Sequence, residues 1–441
     1  MSIRQSAVQL WGGVECTINR VGDTFYDQCA WTGHRERVEK DLEQFAELGL
    51  TTLRAGLPWE HFAKQQNWTF ADRCLHTMGR LGMFPIVGLL HHGSGPETTS
   101  LLDPAFPEKL AAYALDVARR YPWVTDYTPI NEPQTTGRFA CLYRHWYPHH
   151  ACMHSYVRAL LNQMKGIVLS MEAVRSVQPA ARLLHTEDGG VTFSSARLEE
   201  YRVEREHRRW LGLDLLCGRV TREHPLFHFL LSHGASEREI EWFEERGCAP
   251  DAIGLNYYVT SDRYLDDRLD IYPPFMRGGD TGLEPLVDVE AVRVRRDGIA
   301  GVKTVLMDAW ERYRLPLTLT EAHLGCEPAE QVRWLAEAWH GAQGAMAAGA
   351  EIRAVTAWGL LGLYNWSHLC TRDTGAYEPG VFDVSLGLPA ETELTALVRQ
   401  MAAGEPLRHP ALKSAGWWRK DSRMIRPEPV ESSFDPQGFA A

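Results

Sequence analysis

Short apolar, β-prone runs alternate with amphipathic ones along almost the whole chain. The runs are Ala7 to Trp11, Leu50 to Leu57, Met83 to Leu90, Val124 to Ile130, Ala181 to Thr186, Ala252 to Tyr258, Leu317 to Thr320 and Ile352 to Leu361. Each has the length of a buried strand. Between them the spacing is helical. Over 33–48, Val38, Leu42, Phe45 and Leu48 share one face ahead of Gly49, a natural helix stop. The spacing predicts further helices over 72–82, 107–120, 152–175, 196–212, 236–246, 300–314 and 328–348. Strand and helix alternating in this way imply an α/β fold, a single (β/α)8 TIM barrel with extended βα loops, over residues 1–408. The stretch 262–292 has little periodicity and is expected to be a long loop shaping the barrel mouth. Residues 409–441 are polar and contain prolines, and are expected to form a poorly ordered tail.

Composition narrows the picture. At 441 residues and 44% hydrophobic, the chain can bury one large core. A formal charge of −11 argues against nucleic acid or an anionic membrane surface as partner. Fifteen each of Trp, Tyr and Phe suit stacking on sugar rings, and equally suit a barrel core. The nine cysteines are an odd number with no Cys-x-x-Cys pair, which points to reduced thiols and a cytoplasmic location. The N-terminal residues lack an apolar leader, and no run of eighteen apolar residues occurs.

The candidate chemistry centres on Thr128-Pro-Ile-Asn131-Glu132-Pro133, where a strand ends on a carboxylate fixed between an amide and a proline turn. An isolated Asn-Glu-Pro would most simply be a solvated turn. A second strand, however, ends on Glu321, and a closed barrel brings strand ends together at its C-terminal face. Two carboxyls facing one pocket equip a glycoside hydrolase. Arg54 lies inside a strand, where a charge needs a partner. Glu15, Asn19 and Arg20 follow the first strand and are candidate pocket lining. His91 and His92 invite a metal reading, but neighbours on a strand point to opposite faces, so a hydrogen-bonding role is favoured and no metal is assigned. Glu187 and Asp188 end the fifth strand, as substrate contacts or as loop charge. Gly12-Gly13 lacks the Lys-Ser/Thr and helix of a phosphate loop.

In motif order over most of residues 8–405, the sequence resembles glycoside hydrolase family 1, the β-glucosidase-type retaining enzymes. Trp11-Gly12 resembles that family's opening Trp-Gly, with Asn19 where its sugar-binding Gln falls. Leu53-Arg54 through Trp59 resembles its Arg-Phe-Ser…Trp strand. His92…Pro96 resembles its His-Trp-Asp-Leu-Pro turn, with Gly93 in place of Trp. Asn131-Glu132-Pro133 matches the acid/base motif and Gly254-Leu-Asn256-Tyr257-Tyr258 the Gly-x-Asn-Tyr-Tyr strand. Thr320-Glu321 matches the nucleophile motif, with Ala322-His323 replacing Asn-Gly. Trp358 through Asn365-Trp366 resembles Trp-Ser-Leu-x-Asp-Asn-Phe-Glu-Trp. The chain also resembles a family-1-like barrel found ahead of a sugar-nucleotide reductase domain, although these residues contain no Gly-rich dinucleotide fingerprint.

The resemblance implies retaining hydrolysis of a β-glycoside without metal or organic cofactor. Glu321 would attack the anomeric carbon, and Glu132 would be general acid, then base. Arg54 would keep Glu321 ionised, and the charge of Glu321 would raise the pKa of Glu132. Tyr257 or Tyr258 would donate to the nucleophile, and Asn131 would hold the sugar 2-hydroxyl. Asn19, His92, Asn256, Trp358, Asn365 and Trp366 complete the expected sugar contacts. The changes at Asn19, Gly93 and Asn365 fall where the family grips glycone hydroxyls, so the preferred sugar is expected not to be plain glucose. The expected partner is a small-molecule or oligosaccharide glycoside. The rival readings are a carbohydrate-binding or regulatory barrel with little turnover, a transglycosylase using the same residues, and a metal-dependent hydrolase built on His91, His92 and Glu187.

Overall fold

Eight parallel strands close into a barrel in a computed structural model that describes residues 7–273 and 285–425. The barrel strands are β1 (Gln9–Gly13), β2 (Thr52–Gly56), β3 (Phe84–His91), β4 (Asp126–Asn131), β5 (Arg182–Asp188), β6 (Ala252–Asn256), β7 (Leu317–Ala322) and β8 (Ile352–Ala357). Each pairs in parallel with its sequence neighbour, and β1 closes the ring onto β8. The outer layer is α1 (His34–Glu47), α2 (Thr69–Arg80), α3 (Phe106–Arg120), α4 (Met153–Val177), α5 (Glu199–Leu216), α6 (Val302–Tyr313), α7 (Pro328–Ala347) and α8 (Glu393–Ala402). A further helix, Glu237–Arg246, follows α5 and is held by a Ser236–Glu239 capping box.

The main apolar core lies between strands and helices. Inside the ring there is only a small plug, Ile86, Leu184 and Ala252 against Trp11. Above the plug the lumen turns polar, with buried Thr128, Thr186, Thr320 and Thr356. This gradient carries the chemistry to the C-terminal end of the strands.

Two strands break regular alternation just before their functional residue. Along β4 the step from Tyr127 to Asn131 matches only the step from Leu183 to Thr186 on β5. Along β7 the step from Leu319 to Glu321 matches the single step from Leu255 to Asn256 on β6. Each is a bulge, one extra residue that re-aims the side chains beyond it. Without it Glu321 would share the helix-facing side of Leu319.

Three expectations need correction. The stretch 262–292 is not simply a loop. Arg263–Asp266 pairs with Thr192–Ser194 and with Val287–Glu290 in a small sheet over its own cluster of Tyr264, Tyr272, Val287 and Val289. The Arg277-Gly-Gly part of it lies outside the described residues. The eighth strand stops at Ala357, because Gly359 turns the chain at φ 66°. The segment after Arg408 is packed as far as Ile425, in short 3-10 turns at Pro410–Lys413, Trp417–Arg419 and Asp421–Arg423. Trp418 is fully buried against Trp334 of α7, its indole N–H donating to Glu337 at 2.8 Å. Residues 426–441 lie outside the described residues.

Removing that anchor should be felt by the whole molecule. Trp418→Ala is expected to cost about 3–5 kcal/mol, the range for emptying a buried aromatic site. The measurement is the urea midpoint of unfolding. A midpoint equal to that of the parent protein would show that the C-terminal strap contributes nothing to the barrel.

Candidate active site

Glu132 follows directly on β4 with left-handed backbone, φ 44° and ψ 62°, and caps the short helix Pro133–Gly137. Glu321 lies in β7 beyond its bulge. Both carboxyls are buried, at 5% and 2% exposure. Arg54 on β2 binds them into one network. Its guanidinium donates to Glu321 Oε1 at 2.9 Å, to the Thr320 carbonyl at 2.8 Å and to Asn131 Oδ1 at 2.9 Å. Tyr258 O–H donates to the other oxygen of Glu321 at 2.6 Å.

The amide of Asn131 links the two carboxyl environments. Its oxygen also accepts from Thr186 at 2.8 Å, and its nitrogen lies 3.2 Å from His91 Nε2 and 3.3 Å from His92 Nε2. Asn256 donates to Glu132 at 2.6 Å while accepting from Thr320 at 2.7 Å. Trp358 forms a wall. It stacks on His91 at 5.2 Å and 9°, lies 4.7 Å from the Arg54 guanidinium, and donates its N–H to Glu15 at 3.1 Å. A small pocket beside these groups is lined by Arg54, Gly56, Gly88, His91, Asn131 and Trp358.

The structure therefore gathers Glu132, Glu321, Arg54, Asn131, Asn256, Tyr258, Trp358 and His92 at one end of the barrel. Asn19 and Trp366 border the same corner. Asn19 donates to the Cys370 carbonyl at 2.9 Å and leaves its buried Oδ1 unpartnered. Trp366 packs 5.5 Å from His92 with its indole N–H unpartnered. Two residues fall away from the expected set. Tyr257 points to the other side of β6, donating to Asp262 at 2.8 Å. Asn365, at φ 60°, holds its own loop, accepting from Thr374 N–H at 2.9 Å and donating to Asp373 at 3.0 Å.

The strand-alternation argument misplaced the histidine pair. His92 sits just past the end of β3 at φ 54°, which turns it to the same side as His91, with ring centroids 4.7 Å apart. His91, weighed beside His92 but left out of the expected sugar contacts, thus lies in the site, as do Thr186 and Thr320, which the pattern did not single out. The proposed metal set does not assemble, because Glu187 faces the helix layer beside Gly212 and Met164. Among the described residues no group of three metal-ligating side chains occurs. Gly93 has a steric reason: a Cβ there would lie 2.5 Å from the Ile18 carbonyl.

Burial sets the electrostatics. It raises the pKa of Glu132, against the Asn256 and Thr135 hydrogen bonds and the charges of Arg138 and Arg54. Burial also pushes Glu321 up to about 8, with Arg54 opposing it, Glu132 and Glu15 adding to it, and Tyr258 opposing. This corrects the expectation of a nucleophile ionised across neutral pH in the empty site, since desolvation outweighs the guanidinium. Of the two carboxyls, Glu321 is the one with a guanidinium within bonding distance. Burial likewise lowers His92 to about 4 and His91 well below its ordinary value, so both rings are neutral.

A barrel with paired buried carboxyls and a guanidinium clamp at its C-terminal face is the architecture of a glycosidase. No protein-family model matches the sequence. Beta-glucosidase 47 of Arabidopsis thaliana is 23% identical over 388 residues, covering 78% of this chain and 71% of that protein. Among solved structures, the family 1 β-glucosidase of Thermotoga maritima superposes with a TM-score of 0.72 at 15% identity, over 92% of this chain and 99% of that one. Its complex with castanospermine gives 0.73 at 16% identity, over 92% and 99%. The chain is thus similar in sequence to a β-glucosidase and in fold to a family 1 β-glucosidase, in line with the resemblance its motifs carry.

A pH profile tests the electrostatic account. A reaction that needs ionised Glu321 should gain activity with rising pH along a limb above the ordinary carboxylate range, toward 8. Arg54→Gln removes the neighbouring cation, raises the carboxyl pKa further and should move that limb to still higher pH. A limb that moves down, or stays in place, would contradict the role given to Arg54.

Proposed function

We propose that this divergent glycoside hydrolase is a retaining β-glycosidase, with Glu321 as nucleophile and Glu132 as acid/base. The observation that carries the reading is the pair of buried carboxyls at the ends of β4 and β7, each with its own donors, the charge of Glu132 adding to the raised pKa of Glu321. Glu321, aimed by Arg54 and Tyr258, attacks the anomeric carbon as Glu132 passes its proton to the leaving oxygen. Once Glu321 is esterified its charge is gone, the pKa of Glu132 falls, and Glu132 takes the proton of the incoming water. Retention requires the carboxyls about 5–5.5 Å apart. Asn131 holds the sugar 2-hydroxyl, a contact that strengthens as the ring gains positive character.

The glycone preference is proposed to differ from plain glucose. Support comes from three positions: Asn19 donates to a backbone carbonyl, Gly93 has no side chain, and the Asn365 amide is taken up by its own loop. The carbohydrate-binding reading is favoured by Ala322-His323 after the nucleophile. A sugar acceptor in place of water would give transglycosylation through the same residues. Among the described residues no helix is long and apolar enough to cross a membrane. All nine cysteines are free, which supports a reducing, cytoplasmic setting.

The test is nitrophenol release from a panel of α- and β-nitrophenyl glycosides. One β-sugar should be turned over by the parent protein, not by Glu321→Gly, and azide should restore the variant with an α-glycosyl azide as product. Glu132→Gln should lose about 10²–10⁴-fold in kcat, most with poor leaving groups. Turnover indifferent to Glu321 would refute the mechanism, and sugar binding without release would favour the binding barrel.

A further inference from the structure

Glu15 is a third buried carboxyl at the catalytic end of the barrel, beyond the pair that the proposed reaction uses. It lies two residues past β1 and is 2% exposed. Both of its oxygens accept N–H bonds, Oε1 from the Thr17 backbone at 2.9 Å and Oε2 from the Trp358 indole at 3.1 Å. A carboxylate only accepts, so it suits two facing donors, whereas an amide would turn its own N–H toward one of them. Among the described residues the basic side chain within ion-pair reach of Glu15 is His91, and no arginine or lysine pairs with it.

Two side chains join Glu15 to the nucleophile. His91 Nε2 lies 3.8 Å from Glu15 Oε1 and 3.9 Å from Glu321 Oε1, so one imidazole edge spans the gap between the carboxyls. That nitrogen accepts the Asn131 amide N–H at 3.2 Å and the ring is neutral, so it gives a proton to neither carboxyl. The Trp358 indole is the second link, bonded to Glu15, stacked on His91 and lying over the Arg54 guanidinium. Gly13 makes room for it, since a Cβ there would lie 2.3 Å from the indole. Glu321 is faced by Arg54 from β2, His91 from β3, Glu132 beyond β4, Tyr258 beyond β6 and Cys16 beside Glu15. Glu15 in turn faces His91, His92, Tyr258 and the thiols Cys16, Cys29 and Cys370. Around the nucleophile one guanidinium therefore meets three carboxyls.

We propose that Glu15 is a positioning residue for the nucleophilic half of the site, holding the Trp358 wall by its indole N–H while its negative charge acts on Glu321 in opposition to Arg54. The role given to Glu321 rests on the glycosidase reading, but the first test needs no turnover. NMR of protein isotope-labelled at the glutamate carboxyl carbons follows the titration of Glu321, assigned by the signal missing from Glu321→Gln. In the parent protein that carboxyl is expected to titrate near 8. Glu15→Gln removes a negative charge, so the midpoint is expected to fall by about one pH unit or more, the opposite direction to Arg54→Gln. Glu15→Asp keeps the charge and is expected to hold the midpoint within about half a unit, while its shorter side chain gives up the Trp358 bond. On a glycoside that the protein turns over, the activity limb is expected to move down in Glu15→Gln and to stay in Glu15→Asp. KM in Glu15→Asp is expected to rise about three- to tenfold, the effect of one lost hydrogen bond on the wall. A purely structural role would lower stability in both variants without separating the limb from KM. A midpoint that stays or rises in Glu15→Gln, one that falls equally in both variants, or an unchanged KM in Glu15→Asp would overturn the proposal. Should Glu15→Gln not fold, the held midpoint and raised KM of Glu15→Asp still decide it. The NMR shift without hydrolysis of any glycoside would refute the glycosidase reading and leave the link between Glu15 and Glu321 standing.

Discussion

The Arg54 guanidinium is the constraint around which the pocket is arranged. It sits almost wholly out of water, and its cost is offset by Glu321, the Thr320 carbonyl and Asn131 together with the face of Trp358. The partners come from three other strands, so the charge ties β2 to β4, β7 and the end of β8. Removing one partner of such a pair typically costs about 3–5 kcal/mol, because the other charge is left buried. The same clamp opposes the desolvation that drives Glu321 toward its neutral form. Structure and chemistry thus share one interaction.

Around that clamp, local departures from regular geometry do the aiming. The bulges in β4 and β7 turn Asn131 and Glu321 into the lumen, and the left-handed backbone at Glu132 and His92 finishes the turn. Left-handed conformations cost energy for residues with a side chain, and their clustering here is where strain is expected in a working site. The amides of Asn131 and Asn256 then act as fixed connectors, each bonded on both ends, leaving little freedom for either carboxyl.

The periphery stabilises this arrangement from behind. Tyr257, facing away from the pocket, bonds Asp262, which in turn accepts from the Ala300 N–H at 2.6 Å. Trp334 lies 6.1 Å from Tyr257 and packs against Trp418 of the C-terminal strap. The strap is thereby linked through packed aromatic rings to the strand end that carries Tyr258. Its polar composition hid this, since one buried tryptophan and its hydrogen bond outweigh many exposed polar neighbours.

The alternation of apolar and amphipathic runs was enough to determine the barrel, because strand and helix periods and short connections leave few other closed arrangements. It also determined which carboxyls end strands, since Pro133 stops β4 by its missing N–H, and it marked Arg54 as a charge requiring a partner. It could not determine which way a side chain points at a bulge. One inserted residue reverses the face of everything beyond it, and pairing register is a property of the neighbouring strand. For that reason His91 and His92 were set on opposite faces, Tyr257 and Tyr258 stayed interchangeable, and Asn365 was expected in the pocket when its amide closes a loop. The pKa of Glu321 belongs to the tertiary structure as well. It depends on how much water the assembled barrel excludes, a quantity no stretch of the chain carries by itself.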